Sequence, residues 1–496
     1  MNVLLIYPEF PDTFWSFRHA LKLIGKRASS PPLGLLTVAA MLPPDWGARL
    51  VDLNVSALTD DDLAWGDLAF VSGMTIQRDS AHRAIARAKA AGLRVVAGGP
   101  LFTTEPGEFD DADHLVLNEA EITLPRFLAD LAAGRPERVY SSPEFADLRG
   151  SPVPRWNLVD DRHYASRSIQ YSRGCPRNCD FCSVTQLLGH RWRTKTAGQM
   201  VAELDGLYAA GWRGTVSFVD DNLAGNRKRL REELLPALIA WRRGKGGMTF
   251  STQVTLDLAD DESLMRMMVQ AGFDTVFVGI ETVNEASLAE CDKRQNRNRD
   301  MLDDVRRMQR AGLQVQGGFI LGFDSDSPSV FRRMTEFIQA SGIPTAMVGL
   351  LQAPIGTRLY DRLKREGRII PEQTGDNADG TTNVVTRMDA DVLQDGHRRM
   401  LAELYAPRSY YKRLRTFLRE YRPPRRGRTQ FTQLRLWHAR AFFRSAFYLG
   451  IVEKERLHYP GLLVWTLFRQ PRALPTAVVL AISGYHFRKS CEGMLA

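Results

Sequence analysis

Arg173 to Ser183 reads Arg-Gly-Cys-Pro-Arg-Asn-Cys-Asp-Phe-Cys-Ser, placing Cys175, Cys179 and Cys182 in a C-x3-C-x2-C spacing within a Gly/Pro/Asn-rich loop. Thiolates are soft ligands that select iron–sulfur or zinc centres. A closed site of either kind normally uses four protein ligands, and the other two cysteines, Cys291 and Cys491, are remote in sequence. Three thiolates on a [4Fe–4S] cluster leave one iron open to a small molecule, which suits chemistry better than a structural staple. A zinc knuckle completed by His190 is the alternative, although the x3/x2 spacing departs from the usual paired-cysteine zinc signatures.

Such a loop has to be held by a scaffold, and the chain supplies two runs of alternating strands and helices. In residues 1–145 the apolar stretches Val3–Tyr7, Arg49–Leu53, Leu68–Ser72, Arg94–Ala97 and His114–Leu117 read as strands. A helix over Asp79–Ala91 closes at Gly92. This pattern predicts an α/β, Rossmann-like (flavodoxin-like) domain with a parallel, doubly wound sheet. Ligands bind beyond the carboxyl ends of such strands. Ser72-Gly73, Gly98-Gly99 and Glu119 fall there, and glycines at that edge let backbone approach a bulky ligand.

Residues 146–164, with Pro152 and Pro154 among polar residues, read as a linker. Beyond it, in residues 165–370, strands are expected at Ser168–Ser172, Thr215–Val219, Thr249–Thr255, Thr275–Ile280, Gln314–Ile320 and Ala346–Leu351, with helical patterns between them. Six β/α units predict a partial (β/α)6 barrel, an open relative of the TIM barrel, whose reactive groups belong at the C-terminal ends of the strands. Asp220-Asp221-Asn222 ends the second strand, Gln253 lies late in the third and Glu281 ends the fourth. Gly317, Gly318 and Gly322 flank the fifth. Taken singly, each carboxylate could be a helix cap; together they outline a site.

The cysteine loop resembles that of the radical S-adenosylmethionine (SAM) enzymes, whose hallmark is C-x3-C-x-aromatic-C, with Phe181 in the aromatic slot. The resemblance implies a [4Fe–4S] cluster on Cys175, Cys179 and Cys182, with the amino and carboxylate groups of SAM on the open iron. It implies that Asp220, Asp221 and Asn222 hold the SAM amino and ribose groups. Gln253 belongs to the same site, Glu281 accepts from ribose hydroxyls, and the Gly317–Gly322 backbone faces the adenine. Arg191, Arg193 and Lys195 either form a solvated face or meet the SAM carboxylate.

The N-terminal half resembles the cobalamin-binding domain of cobalamin-dependent radical SAM enzymes. The matching pieces are Pro31-Pro32-Leu33-Gly34, Ser72-Gly73-Met74, Gly98-Gly99-Pro100 and Glu119-Ala120-Glu121. Asn118 departs from the family pattern, and no Asp-x-His-x-x-Gly follows the first strand. His19 reads as a helix-face residue. The resemblance therefore implies cobalamin with no histidine on cobalt and with Met74 or Ile76 as lower-face neighbours.

The branch that includes hopanoid C-2 methylases and bacteriochlorophyll ring methylases is the one resembled over nearly the whole length. It implies a C-methyltransferase acting on an unactivated carbon of a small hydrophobic (lipid, hopanoid-like or tetrapyrrole) substrate. Ring closure or rearrangement without methyl transfer, and RNA modification, are the other chemistries found among such enzymes. An electron donor such as flavodoxin or ferredoxin is expected as a partner.

The 496 residues carry a net charge of +9, with 44% hydrophobic and 25% charged residues, ordinary for a globular protein. Five cysteines, three of them in one loop, exclude a disulfide framework and point to a reducing compartment. The opening Met-Asn-Val-Leu-Leu-Ile reads as a strand rather than a signal peptide, so a cytoplasmic location is expected. Residues 401–496 hold 18 Lys/Arg against 5 Asp/Glu, or +13, so the first 400 residues sum to −4.

That basic tail belongs to a mainly helical C-terminal region, 371–496, which opens on a polar loop (371–386) placed to close over the site. Its helices break at Pro423-Pro424-Arg425-Arg426. The apolar run Ala473–Tyr485 is too short to cross a bilayer. Aromatics interleaved with arginines fit a peripheral contact with the inner membrane face, a nucleic-acid surface, or a helical domain using them as its own core. No recognisable RNA-binding motif is present, and no nucleic-acid partner is expected.

Overall fold

Val3, Leu4, Leu5 and Ile6 are all fully buried in strand β1 (Asn2–Tyr7), because helices on both faces of a parallel sheet hide both sides of each strand. With β2 (Gly47–Asp52), β3 (Leu68–Ser72), β4 (Arg94–Gly98), β5 (His114–Val116) and β6 (Val139–Tyr140) it forms a parallel sheet of order β2-β1-β3-β4-β5-β6. This is the flavodoxin-like winding, whose ligand crevice lies at the switch point between β1 and β3. Strand β6, only two residues long, carries no periodicity and has no counterpart in the sequence reading. The computed structural model describes residues 1–371, 374–423 and 436–495, so most of the Pro423–Arg426 break lies outside the described residues.

The second sheet runs in the order β14-β13-β12-β11-β10-β7, all parallel. Its strands are β7 (Ser166–Ile169), β10 (Thr215–Phe218), β11 (Thr249–Val254), β12 (Phe273–Glu281), β13 (Gln314–Leu321) and β14 (Thr345–Leu350). Six strands in sequential order make the expected open barrel, the first beginning two residues earlier than the sequence pattern suggested. Between β7 and β10, the short antiparallel pair β8 (Ser172–Arg173) and β9 (Arg193–Thr194) closes the base of the cysteine loop.

An open barrel has two edges, and both are covered. At β14 the Tyr405 hydroxyl donates to the Ala346 carbonyl (2.7 Å) and accepts from the Ala346 amide (3.1 Å), while His397 Nε2 donates to the Val348 carbonyl (2.9 Å). These bonds satisfy edge groups that would otherwise need another strand. At β7 the incoming chain meets Ala28 and Ser29, the Ser166 amide donating to the Ser29 carbonyl at 2.8 Å. The expected linker is thus a packed strap, with Tyr164 buried and its hydroxyl on Asp52 (2.9 Å).

The helices Ala390–Tyr405 and Pro407–Glu420 pack on the barrel, and Tyr405, Tyr410, Tyr411 and Phe417 lie in the barrel's own core. The C-terminal helix Leu474–Leu495 reaches back to the helix Arg18–Ile24. There Phe487 stacks on Phe14 at 4.3 Å. The aromatics of 405–421 are therefore core, shared with the barrel rather than forming a separate helical domain's own core. Among the described residues no helix is long and apolar enough to cross a membrane.

Candidate active site

Gly174 opens the cysteine loop with φ +87°, and a Cβ there would stand 2.5 Å from the Arg191 carbonyl, so only glycine allows the ribbon to close so tightly. The Cys175 amide donates to the Gly189 carbonyl (3.2 Å), fixing the loop from inside. Phe181 packs edge-to-face on Phe323 at 6.4 Å and pins the loop to the barrel. The three cysteines are half-buried with free thiols. Burial pushes Cys182 up to about 12 and raises Cys175 as well. A thiolate here needs a cationic partner, and an iron–sulfur core supplies one on binding. Among the described residues no three His, Cys, Asp or Glu side chains converge on a single-ion site.

Two polar atoms beside Cys175 lack partners. Asp221 Oδ2 and Asn222 Oδ1 are buried with no hydrogen bond, and both residues bear on Cys175 electrostatically. Burial pushes the Asp221 carboxyl up to about 6. Buried polar atoms are almost always satisfied, so unpaired ones next to the thiols fit a polar ligand such as SAM. Gln253, exposed at the end of β11, adds an open amide. Asp220 is different. It is wholly buried, and its carboxylate accepts from the Ser172 amide and hydroxyl and from the Tyr171 amide. It braces the approach to the loop, a correction to the SAM-binding role expected of it.

At the end of β12, Glu281 has φ +64°, a costly geometry for a non-glycine residue that clusters at functional sites. Its carboxylate meets Lys293 Nζ at 2.5 Å, both side chains 9% exposed. Burial alone would lower Lys293, but Glu281 and the nearby Cys179 hold it raised. Gly279 makes room for the pair, since a Cβ there would stand 2.3 Å from Glu281 Oε1. Asn296 Nδ2 donates to the Gly279 and Ile280 carbonyls (2.9 and 3.0 Å), and Gln295 Nε2 lies 3.7 Å from Cys179 Sγ. Lys293, Gln295 and Asn296 had no sequence signal, because they come from a short turn after Cys291 that only the fold brings to the cluster loop.

Strand alternation sets the two β13 glycines on opposite faces. Gly317 points to the helix side of β13, where a Cβ would meet Phe319 and Ile343. Gly318 takes the lumen side, its Cβ position lying 2.8 Å from the Phe277 ring. Gly322, φ +98°, sits beyond the strand under Leu393 and Thr386.

On the N-terminal domain, Met74 is 51% exposed at the switch point. It is held there by its amide donating to Gln77 Oε1 (2.9 Å), while Gln77 Nε2 donates across to the Pro8 carbonyl at the end of β1. Ser72 and Gly73 precede it. Pro32 and Gly34 begin the helix Leu33–Met41, and the space a Gly34 side chain would fill is empty to 4 Å. Gly34 and Met74 are exposed, whereas Pro32 and Gly73 are buried behind them. Gly98, Gly99 and Pro100 are explained within the domain. A Cβ on Gly98 would strike the Val116 carbonyl, one on Gly99 (φ +95°) would strike Ser72 Oγ, and Pro100 starts a helix.

Glu119 is also corrected. Both its oxygens accept from Arg193 at 2.8 Å, while Arg173 pairs with Glu121 at 2.8 and 2.9 Å. Lys195 is bound to Glu203 at 2.5 Å. Glu119, expected as a cofactor ligand, and Arg193 and Lys195, read as either a solvated face or partners of the SAM carboxylate, instead tie the cluster ribbon to its surroundings.

Trp15, in the segment after β1, packs on the barrel. Its ring meets Phe277 at 5.8 Å and its Nε1 meets the Met347 sulfur at 3.1 Å. The sequence placed it beyond a strand end, yet nothing there said it would enter the other domain. The polar loop arrives from the opposite side, with Gly375 against the Thr75–Ile76 backbone and Asn377 against Gly349.

Residues 169–338 match the radical SAM superfamily, and residues 357–496 match a domain of unknown function. The chain is 41% identical over 425 residues to an uncharacterised methyltransferase of Synechocystis sp., spanning 84% of this chain and 79% of that protein. It is 36% identical over 418 residues to the hopanoid C-2 methylase of Rhodopseudomonas palustris, spanning 83% and 78%. Its fold is shared with the cobalamin-dependent S-adenosylmethionine radical enzyme OxsB, solved with aqua-cobalamin and SAM bound. The identity there is 14% and the TM-score 0.62, covering 100% of this chain and 79% of that one.

Proposed function

This chain belongs to the radical SAM superfamily, in the cobalamin-dependent methylase branch that holds the hopanoid C-2 methylases, and from that premise we propose that it methylates an unactivated carbon of a hydrophobic lipid-like or tetrapyrrole substrate. The observation that carries the substrate class is the wall made by Trp15, Phe277 and Met347, an apolar surface facing the barrel lumen. Such a wall binds by burying apolar area rather than by pairing charges.

The cluster with SAM supplies radical hydrogen abstraction and cobalamin supplies the methyl group, chemistry that belongs to the cofactors. The protein's part is placement. Cys175, Cys179 and Cys182 hold the cluster, with Gln295 and Lys293 beside the sulfurs. Asp221 and Asn222 offer unpaired acceptors to SAM, and Gln253 and Glu281 line the same strand ends. Gly34, Ser72 and Met74 are open to the corrin, with the buried Pro32 and Gly73 shaping the backbone behind them. The Gly375 loop and Trp15 narrow the space between the two domains, and a site closed in this way excludes water and fixes geometry. A one-electron donor of the flavodoxin or ferredoxin kind belongs to the same reading.

The test is product analysis. Reconstituted protein, given methyl-labelled SAM and a lipid and pigment extract from a strain deleted for this gene, should transfer the label to one hydrophobic product. An unlabelled, cyclised or rearranged product would replace methyl transfer with ring chemistry.

A further inference from the structure

The helix Leu436–Phe447, the turns from Tyr448 to Leu457 and the helix Tyr459–Arg469 form the outer layer of the C-terminal region. Their inward stripes are regular. Ala441, Ser445 and Leu449 are buried at i, i+4 and i+8, and Tyr459, Leu462 and Thr466 are buried in the second helix. An ordinary surface helix would be polar on its other side. Here the other side is apolar, with Phe443 70%, Ile451 62%, Leu457 80% and Phe468 81% exposed and Phe447 and Leu467 beside them. Large apolar side chains grouped this way on a surface mark an interaction site.

The charges around them have one sign. Arg440, Arg444, Arg456, Arg469 and Arg472 are all exposed. The acidic residues of this stretch, Glu453 and Glu455, are both held by Arg488, at 2.9 and 2.7 Å. A second copy of the chain seated here would set arginines against arginines. Aliphatic residues such as Ile451, Leu457 and Leu467 have no use against a nucleic-acid backbone. We propose that this layer is a docking face for an anionic lipid bilayer, with the apolar side chains in the headgroup–acyl boundary and the arginines among anionic headgroups.

The face also leads toward the barrel wall. The helix Leu436–Phe447 packs on the helix Arg18–Ile24, and the segment just before that helix carries Trp15 to the barrel. A bilayer-dissolved substrate would arrive one helix away from the apolar wall. Only this consequence rests on the proposed methyl transfer; the docking face stands without it.

Flotation of the cluster-loaded full-length protein with phosphatidylglycerol vesicles, at low and high salt, tests the proposal. Binding should exceed that to phosphatidylcholine vesicles by about tenfold and fall with salt. The surface variant Phe443→Ser/Leu457→Ser/Phe468→Ser should keep its iron content and melting temperature yet float about tenfold less. The variant Arg440→Glu/Arg444→Glu/Arg472→Glu should lose the preference for anionic lipid. Wild-type protein that stays down with anionic vesicles at low salt would overturn the proposal. So would a stable dimer broken by the triple serine change, or capture by RNA in place of vesicles. None of these readouts involves turnover, so a failed methylation assay leaves them unaffected.

Discussion

Arg193 and Glu119 meet in a two-pronged ion pair, both contacts 2.8 Å, between the ribbon that closes the cysteine loop and the helix that begins at the carboxyl end of β5. Their side chains are 12% and 4% exposed. Beside them Arg173 and Glu121 repeat the arrangement. The two domains that would present cluster and corrin are therefore joined by charges in a dry setting, where one partner without the other is expensive. Arg193→Gln should cost roughly 3 kcal/mol in denaturant unfolding, near the low end for a broken buried pair, because Arg173 remains 3.6 Å from Glu119. Combining it with Glu119→Gln should recover part of that loss. Both variants should still assemble cluster, while SAM cleavage becomes uncoupled from product formation. Full coupling in Arg193→Gln would show that the pair does not set the spacing.

The cluster loop makes its own prediction. Anaerobically reconstituted protein should hold about four iron and four sulfide per chain, and Cys179→Ala should lose both the cluster and SAM cleavage. Gln295→Leu should keep the iron but lower the cluster's reduction potential, because a donor to a cysteine sulfur stabilises the reduced, more negative state. Redox titration followed by EPR reads this directly; an unchanged potential would mean that the 3.7 Å contact carries no hydrogen bond.

For cobalt, the exposed methionine at the switch point predicts a cob(II)alamin EPR spectrum without nitrogen splitting from a protein histidine. Met74→His, placing an imidazole on the same surface, should introduce it. Splitting in the wild type would send the search for a lower-face ligand elsewhere.

Acid should loosen the C-terminal helix. His486 is buried, its Nε2 donates to the Phe14 carbonyl at 3.0 Å, and burial lowers it from 6.5 to about 4, with His19 adding to the effect and Asp12 opposing it. Between pH 6.5 and 4 the unfolded chain binds a proton that the native chain refuses. Stability therefore falls as pH falls, by up to about 1.4 kcal/mol per pH unit. His486→Gln, which keeps the donor without the titration, should flatten urea midpoints across that window. Identical slopes would assign the acid sensitivity to other groups.

Truncation after Met400 should unfold the barrel. Tyr405 caps the β14 edge, and Tyr410, Leu414 and Phe417 sit in the barrel core. Soluble, cluster-binding protein lacking residues 401–496 would contradict this.

The cysteine spacing, the run of six strands and the glycine-rich strand ends were legible in the sequence because they depend on local rules. Ligand chemistry fixes C-x3-C-x2-C, burial on both faces makes parallel strands continuously apolar, and loops that bind must follow carboxyl ends. What each polar residue does was decided by the fold. Asp220, Asp221 and Asn222 are neighbours in the chain, yet Asp220 is spent on Ser172 while Asp221 and Asn222 each keep one unpaired oxygen, because successive residues leaving a strand point in different directions. Glu119 lost its expected ligand to an arginine 74 positions away. Trp15, Lys293 and Gln295 became part of the site only when distant segments packed together. The same holds for the tail, where composition supplied the arginines and aromatics. Packing against the barrel decided that Tyr410 is core while Phe443 and Phe468 are left facing out, because a helix can bury only the stripe that meets its neighbour.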